Sequence, residues 1–409
     1  MTPQGEPRPL PVTVLGGLAT GLRDCVADLA RIEVPGLAVL AVRVGSEGRT
    51  VAWQVYERRG PVGGGTLTPA GPCTSDALPP ALLAVLLRLA RTARYRRLLL
   101  TLPPGMAPDL VALDMAEGHV CGQALADHLH MDTVAACVDL SRLEDDLGSG
   151  DRLLDRGLAI GPADRRTVAE TAARHLASAD TVVTSDAHDP DPAASARAVA
   201  LVHHLSACHS MAHICHDPLT GALWTPNLSA LIGQNRFDPD DVRDRHGPLP
   251  LLRQPRAPEF GVRTTYWSSR RPLHAQRLYD ALPQICPSAI RGHGHLWLAN
   301  RPRSIHRWES AGEHLAIQTA GTWLSEQDDT AWRTASAERR TFAALFWHPY
   351  YGERRCELTF TGIDLDIPSL HERLNTCLLT DAELALGMEH WQLSDDPFAA
   401  ALDTDPPSP

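Results

Sequence analysis

The sequence predicts an α/β protein: a mostly parallel sheet covered by helices on both faces, followed by a smaller α+β domain. Three observations lead there. Short apolar runs of strand length alternate with segments of helical period through the first half of the chain. The first such run ends in glycines and opens directly into a helical pattern, a turn common in parallel sheets. From Arg263 onward the strands become aromatic-containing and the regular alternation is lost.

In order, Pro11–Leu15 reads as a buried strand, then glycines 16, 17 and 21, then a helix over Leu22–Ile32. Gly36–Val44 and Thr50–Tyr56 read as strands, and Gly63–Gly65 as a loop. Leu78–Thr92 has helical period, and Tyr95–Leu102 is a strand stopped by Pro103-Pro104-Gly105. A helix at Pro108–Ala116, a strand at Thr133–Leu140, a helix at Asp164–Ala177 and a strand at Asp180–Ser185 follow. A helix through Leu205 and a strand at Ala212–His216 complete the first domain, 1–216. Residues 217–258 are rich in Pro, Asp and Gly and read as a connector. The second domain, 259–392, has strands in TTYW, HLWLAN, HLAIQ and CELTFTGIDL around helices at 274–282, 335–346 and 368–377. The tail 393–409 is acidic and proline-rich, with the composition of a disordered segment. Trp297, Trp308 and Trp323 read as core residues, His293 and His295 as surface or packing residues.

The chain has 409 residues, a formal charge of −11 and no lysine: its 38 basic residues are all arginine. Chemistry that needs an ε-amine, such as a Schiff base or a phosphate-gripping lysine, is therefore excluded. Residues 1–257 carry 24 Arg against 29 acids and residues 258–390 carry 14 against 16, so the near-neutral C-terminal part is the better candidate for any nucleic-acid contact. No run approaches the roughly 18 to 20 apolar residues of a membrane span. With a polar, proline-rich start, a cytoplasmic protein without membrane contact is expected. Nine cysteines without regular spacing are expected to be free thiols.

A strand, glycines and a helix start can cradle a phosphate, because backbone N–H groups and the helix dipole converge there. The segment here is Gly16-Gly17-Leu-Ala-Thr-Gly21-Leu22-Arg23-Asp24. Against G-x-x-x-x-G-K-[ST], Leu22 stands for the second glycine, Arg23 for lysine and Asp24 for the hydroxyl residue that holds magnesium. Leu22 hinders close approach of phosphate, and Asp24 sets a negative charge beside it. A structural turn and a degenerate nucleotide site both fit these residues.

The second half resembles the CobW-type family of P-loop GTPases and metallochaperones, block by block. The family's R-R-P-F-H-P-x-R is Arg270-Arg-Pro-Leu-His-Ala-Gln-Arg277 here, and its R-x-K-G-x-x-W-L-A-x-R-P is Arg291-Gly-His-Gly-His-Leu-Trp-Leu-Ala-Asn-Arg-Pro302. Trp308-Glu-Ser-Ala-Gly312, Glu357-Leu-Thr-Phe-Thr-Gly-Ile-Asp-Leu-Asp366 and Cys377-Leu-Leu-Thr-Asp-Ala-Glu383 follow in order. The resemblance implies a P-loop GTPase-like first domain with a degenerate nucleotide site and a CobW-type C-terminal domain. The family's Cys-x-Cys-Cys segment survives only as Cys73. The strand end that supplies a carboxylate is Leu100–Pro108 without one, and the guanine-reading N-K-x-D falls on Ser185-Asp186-Ala187-His188. GTP hydrolysis by the usual mechanism is not expected from such a site, and GTP binding is left unsupported.

Within the family, the block Glu338–Trp347, His348-Pro-Tyr-Tyr-Gly-Glu-Arg354 and Asp396-Pro-Phe398 are most similar to the actinobacterial branch described as ribosome hibernation factor-recruiting proteins. That resemblance implies a non-catalytic adaptor with a ribosome or hibernation factor as partner under zinc limitation. The alternative is a chaperone for zinc or another divalent metal, or a GTP-binding protein of metal homeostasis. One cluster offers soft ligands for zinc: His204, Cys208, His209, His213, Cys215 and His216. His213 and Cys215 share a face of one strand, yet no closed C-x-x-C or H-x₃₋₅-H pairing completes a site, so a corner merely rich in His and Cys also fits.

Overall fold

The computed structural model describes residues 8–403, except 46–47, 69–74, 76, 186–190, 207–209, 217–222, 225–227, 229–230 and 250–254; for 210, 213–216 and 223–224 it describes the backbone alone. Two compact units divide at Val242/Arg243, inside the segment read as a connector.

The first unit runs β1 (Leu10–Gly16), α1 (Thr20–Glu33), β2 (Leu37–Val44), β3 (Val51–Glu57), β4 (Gly60–Leu67), α2 (Pro80–Arg91), β5 (Arg97–Thr101), α3 (Pro108–Glu117), the ribbon β6 (His119–Val120) and β7 (Gln123–Ala124), β8 (Leu129–Asp139), α4 (Leu140–Gly148), α5 (Val168–Ser178), β9 (Thr181–Ser185), α6 (Pro192–Leu205), β10 (Ser210–His216), β11 (Leu223–Trp224) and α7 (Pro239–His246), whose last turn passes into the second unit. Its nine-stranded sheet has the order β11-β10-β9-β8-β1-β5-β2-β3-β4. The six strands from β10 to β2 pair in parallel, and antiparallel strands finish both edges. Leu98, Leu99 and Leu100 of β5 are buried, as the centre of a parallel sheet covered on both faces requires. On one face α2 contributes Leu82, Leu83, Val85, Leu86 and Leu87; on the other α1 contributes Val26, Ala27 and Ala30. The mostly parallel α/β sheet expected from the sequence is the one observed.

Local differences have local causes. Gly63–Gly65, expected as a loop, lies in β4: Gly64 and Gly65 cross over Trp53, where a Cβ on Gly65 would stand 3.3 Å from the indole. A backbone ladder needs no side chains, so propensity misses such a strand. The helix expected from Asp164 starts at Val168, because Asp164 binds Arg166 at 2.7 Å and Thr167 caps the helix through the Glu170 amide. Within the expected connector, Leu231 is buried in the first unit, and Asp132 accepts the amides of Gly233 and Asn235 at 2.6 and 2.7 Å.

The second unit comprises β12 (Val262–Ser269), α8 (Ala275–Ile285), β13 (Arg291–Leu296), β14 (Ser304–Ala311), β15 (His314–Thr322), α9 (Asp329–Thr334), α10 (Ala337–Leu345), β16 (Cys356–Ile363), α11 (Ile367–Thr376), α12 (Asp381–Ala385), α13 (Met388–Trp391) and α14 (Ala399–Leu402). Its sheet, β12-β16-β13-β14-β15, is antiparallel throughout. Trp297, Trp308 and Trp323 are fully buried in the core, as expected, and His295 is buried beside Trp323 in an edge-to-face contact. Gly294, at φ 145°, lets β13 and β16 close: a Cβ there would lie 2.1 Å from the Glu357 carbonyl oxygen.

The described part of the tail, residues 393–403, departs from the disorder expected of it. Phe398 and Leu402, four residues apart, form one apolar helical face and are buried, Phe398 edge-on to Tyr279. Arg301 clasps both sides, meeting Asp396 at 2.5 Å and Asp403 at 2.8 Å. Among the described residues no helix is long and apolar enough to cross a membrane.

Candidate functional site

In open parallel sheets ligands bind outside the carboxyl ends of the strands, where the strand order reverses. Here that place is the end of β1, between β8 and β5. The glycines of the turn serve packing. A Cβ on Gly16 would lie 2.4 Å from Cγ of Pro108, and one on Gly17, at φ 120°, would lie 2.3 Å from the Cys137 carbonyl oxygen. Gly21, inside α1, has open space around it. Leu22 packs on the apolar cluster beneath the sheet.

Arg23 turns inward. Its side chain is 7 % exposed, and Nη1 donates to the Leu102 carbonyl just past β5 at 2.6 Å. Nε and Nη2 donate to Oδ1 of Asp24 at 3.0 and 2.8 Å. The guanidinium is thus neutralised and partnered by the protein itself. To meet a phosphate it would have to leave the Leu102 carbonyl, a charged hydrogen bond of roughly 1.5–3 kcal/mol. Asp24, half exposed and 3.9 Å from Arg43, occupies the hydroxyl position with a carboxylate already engaged. Ala19 caps α1 without a side-chain hydrogen bond, so the first amides of the helix have no side-chain acceptor there.

The neighbouring strand ends supply structure. Asp139, closing β8, caps α4 through the Ser141 amide and hydroxyl. Asp109, one residue beyond the stretch compared with the family's carboxylate-bearing strand end, is 1 % exposed and sits in the first turn of α3 with its Oδ1 on the Leu110 amide. The buried Cys137 thiol is pushed up strongly by desolvation, which keeps it neutral and inert. Ser185 ends β9; Asp186–His188 lie outside the described residues.

Of the metal candidates, His204 lies on the last turn of α6 and His213, Cys215 and His216 on β10, a strand that begins two residues earlier than expected. Cys208 and His209 lie outside the described residues, as do the side chains of the β10 residues and Cys73. Among the described residues no group of three or more His, Cys, Asp or Glu could hold a metal ion. What the residue pattern did not reveal is the partner of Arg23, a main-chain carbonyl 79 positions away. No side-chain signal could have announced it.

A mostly parallel α/β unit with a glycine turn at the end of its first strand, followed by an antiparallel sheet unit, defines a two-domain α/β class of protein. Residues 262–378 match the model of the cobalamin synthesis protein cobW C-terminal domain. The chain is 31 % identical over 338 residues to "Zinc chaperone Rv0106" of Mycobacterium tuberculosis, covering 80 % of this chain and 77 % of that one. It is 24 % identical over 330 residues to "Zinc-regulated GTPase metalloprotein activator 1" of Dictyostelium discoideum, covering 78 % and 66 %. The Zn(II)-bound YjiA GTPase of E. coli aligns over 91 % of this chain at 13 % identity and a TM-score of 0.33. The chain belongs to the CobW-type family.

Proposed function

We propose that this protein is a zinc-handling member of the CobW-type family, carrying zinc as cargo without hydrolysing GTP at its strand-to-helix turn. The observation that supports it most is the 31 % identity, over four fifths of the chain, to a relative named a zinc chaperone. The bond from Arg23 to the Leu102 carbonyl supports the second half of the reading, since the residue in the lysine position is committed to the protein. The corner between α6 and β10 is the proposed cargo site, with His204, Cys208, His209, His213, Cys215 and His216 as its ligand set. Zinc titration against a chromophoric chelator tests this. Wild type should compete at micromolar zinc, and Cys208→Ser/Cys215→Ser should weaken binding at least ~10-fold. Equal zinc affinity in both proteins removes the site, and no competition by wild type removes the function. A fluorescent GTP analogue should show no saturable binding.

A second reading, recruitment of a ribosome hibernation factor under zinc limitation, draws on one feature. Leu345, Trp347 and Tyr350 are 71 %, 48 % and 62 % exposed in the segment that carries the branch resemblance, an apolar surface suited to a protein partner. Cosedimentation with ribosomes from zinc-limited and zinc-replete cells tests it. Absence from the ribosomal pellet in both defeats it.

A further inference from the structure

Three of the sequence blocks quoted above, separated by tens of residues in the chain, converge in the second unit on one cavity of about 140 Å³. His274 comes from the first block, Ala299 and Asn300 from the second, and Leu379 and Glu383 from the third; Leu386 and Trp391 complete the apolar wall. That volume suits one long side chain, while its lining pairs a greasy wall with hydrogen-bond acceptors.

The acceptors are specific. Asn300 Nδ2 donates to the Asp395 carbonyl at 3.4 Å, which turns Oδ1 the other way, and that Oδ1 is buried with no partner. A buried acceptor left unmatched costs about 1–3 kcal/mol. Oε2 of Glu383 accepts from Arg277 and from the amide and hydroxyl of Thr380 at 2.7 to 2.9 Å, leaving Oε1 outside those bonds. Burial opposes the charge on Glu383, yet the Thr380 and Arg277 donors outweigh it and hold the carboxyl down to about 2. Ser394 adds a hydroxyl to the lining.

Acids outnumber arginines around the cavity, whose lining also holds His274 and His390. From Asn375 to Asp403 there are six acids and no arginine. Asp381, Glu383, Asp396 and Asp403 pair with Arg271, Arg277 and Arg301, whereas Glu389 and Asp395, each next in sequence to a lining residue, are exposed and outside any ion pair among the described residues. Leu386 and Leu393 are 55 % and 80 % exposed beside it, an apolar margin of the kind that meets a protein surface rather than a small solute.

We propose that this cavity receives a lysine side chain from a partner protein, its methylenes against Leu379, Leu386 and Trp391 and its ammonium on Asn300, Glu383 and Ser394. Three acceptors match the three donors of an ammonium, whereas a guanidinium offers five in a rigid plane. The occupant must be foreign, because this chain has no lysine to offer, neither its own nor a second copy's. The inference stands apart from the zinc reading and survives its failure.

Calorimetric titration with an acetylated, amidated Gly-Ala-Lys-Ala-Gly peptide tests it on the full chain. Saturable binding in the range of ~1 mM is expected, at least ~10-fold weaker when the lysine is Nε-acetylated or replaced by arginine. Leu386→Trp, filling the mouth from an exposed position, should abolish it. Asn300→Asp should strengthen it several-fold, so that a gain is read as well as a loss. No heat from any lysine peptide up to ~20 mM overturns the proposal. So does equal binding of the acetylated peptide. Putrescine binding as tightly as the peptide assigns the cavity to free amines and overturns the partner.

Discussion

The turn at the end of β1 and the cavity in the second unit are both assembled from short blocks brought together by the fold, but they are left in opposite states. At the turn, the protein fills its own site: Arg23 lies on the Leu102 carbonyl, Asp24 neutralises it, and Pro108 and the Cys137 backbone press on the glycines. At the cavity, the lining residue Asn300 keeps a buried acceptor that no group of the protein meets. The difference teaches that a binding motif is lost when its donors find partners inside the protein, and not merely when a letter changes. Lysine, a mobile point charge, would have reached out; arginine's planar fork found a carbonyl and a carboxylate at home.

The largest expected effect tests whether the two units are separately built. Trp308→Ala empties a fully buried site in the second unit and should cost about 3–5 kcal/mol, shifting one calorimetric transition and sparing the other. A single shared shift would break the comparison. Acid should also divide the units. Burial pushes His306 down to about 4, and burial followed by the Arg355 and Arg339 charges pushes His295 well below its ordinary value, while the first unit's His175 is pushed down to about 4. Because these groups bind protons more readily when unfolded, the stability they confer is present above pH ~6.5 and is lost as pH falls toward the folded values, by about 3 kcal/mol for a shift from 6.5 to 4. Melting curves across that window should show the second unit failing first.

Next in size, Arg23→Ala leaves the Leu102 carbonyl without its charged donor and should destabilise the first unit by about 1–3 kcal/mol in urea, without changing the response to nucleotide. A GTP signal lost with Arg23 would show the site to be working. Smallest, Tyr350→Ser at a 62 % exposed position should alter stability by less than ~0.5 kcal/mol, so any loss of partner capture reports on contact alone.

The parallel sheet was legible because Leu98–Leu100 and Val12–Leu15 are strand-length apolar runs that only a doubly covered sheet buries. The second unit was legible through its blocks, three of which carry a buried Trp297, Trp308 or Cys377. Three things were hidden for physical reasons. β4 is held by main-chain pairing that glycine does not advertise. The strand Ser304–Ala311 alternates Ile305, His306 and Trp308 with arginine and glutamate, a pattern blurred by its buried histidine. The cavity is a relation between residues 274, 300 and 383, and linear spacing carries no trace of it.

The Arg301 clasp on Asp396 and Asp403 also sets an order of events during synthesis. Phe398 and Leu402 belong to the second unit's core, so that core cannot close until the chain has been made through residue 403. The sheet laid down by residues 262–363 must wait, with the sockets for Phe398 and Leu402 open to solvent, for about forty more residues to emerge. Burying those two side chains supplies roughly 1.5–3 kcal/mol each at the last step. A nascent chain cut short before Asp396 would therefore be left with a greasy opening that quality-control proteases can read, making the clasp a mark of completion for this part of the polypeptide.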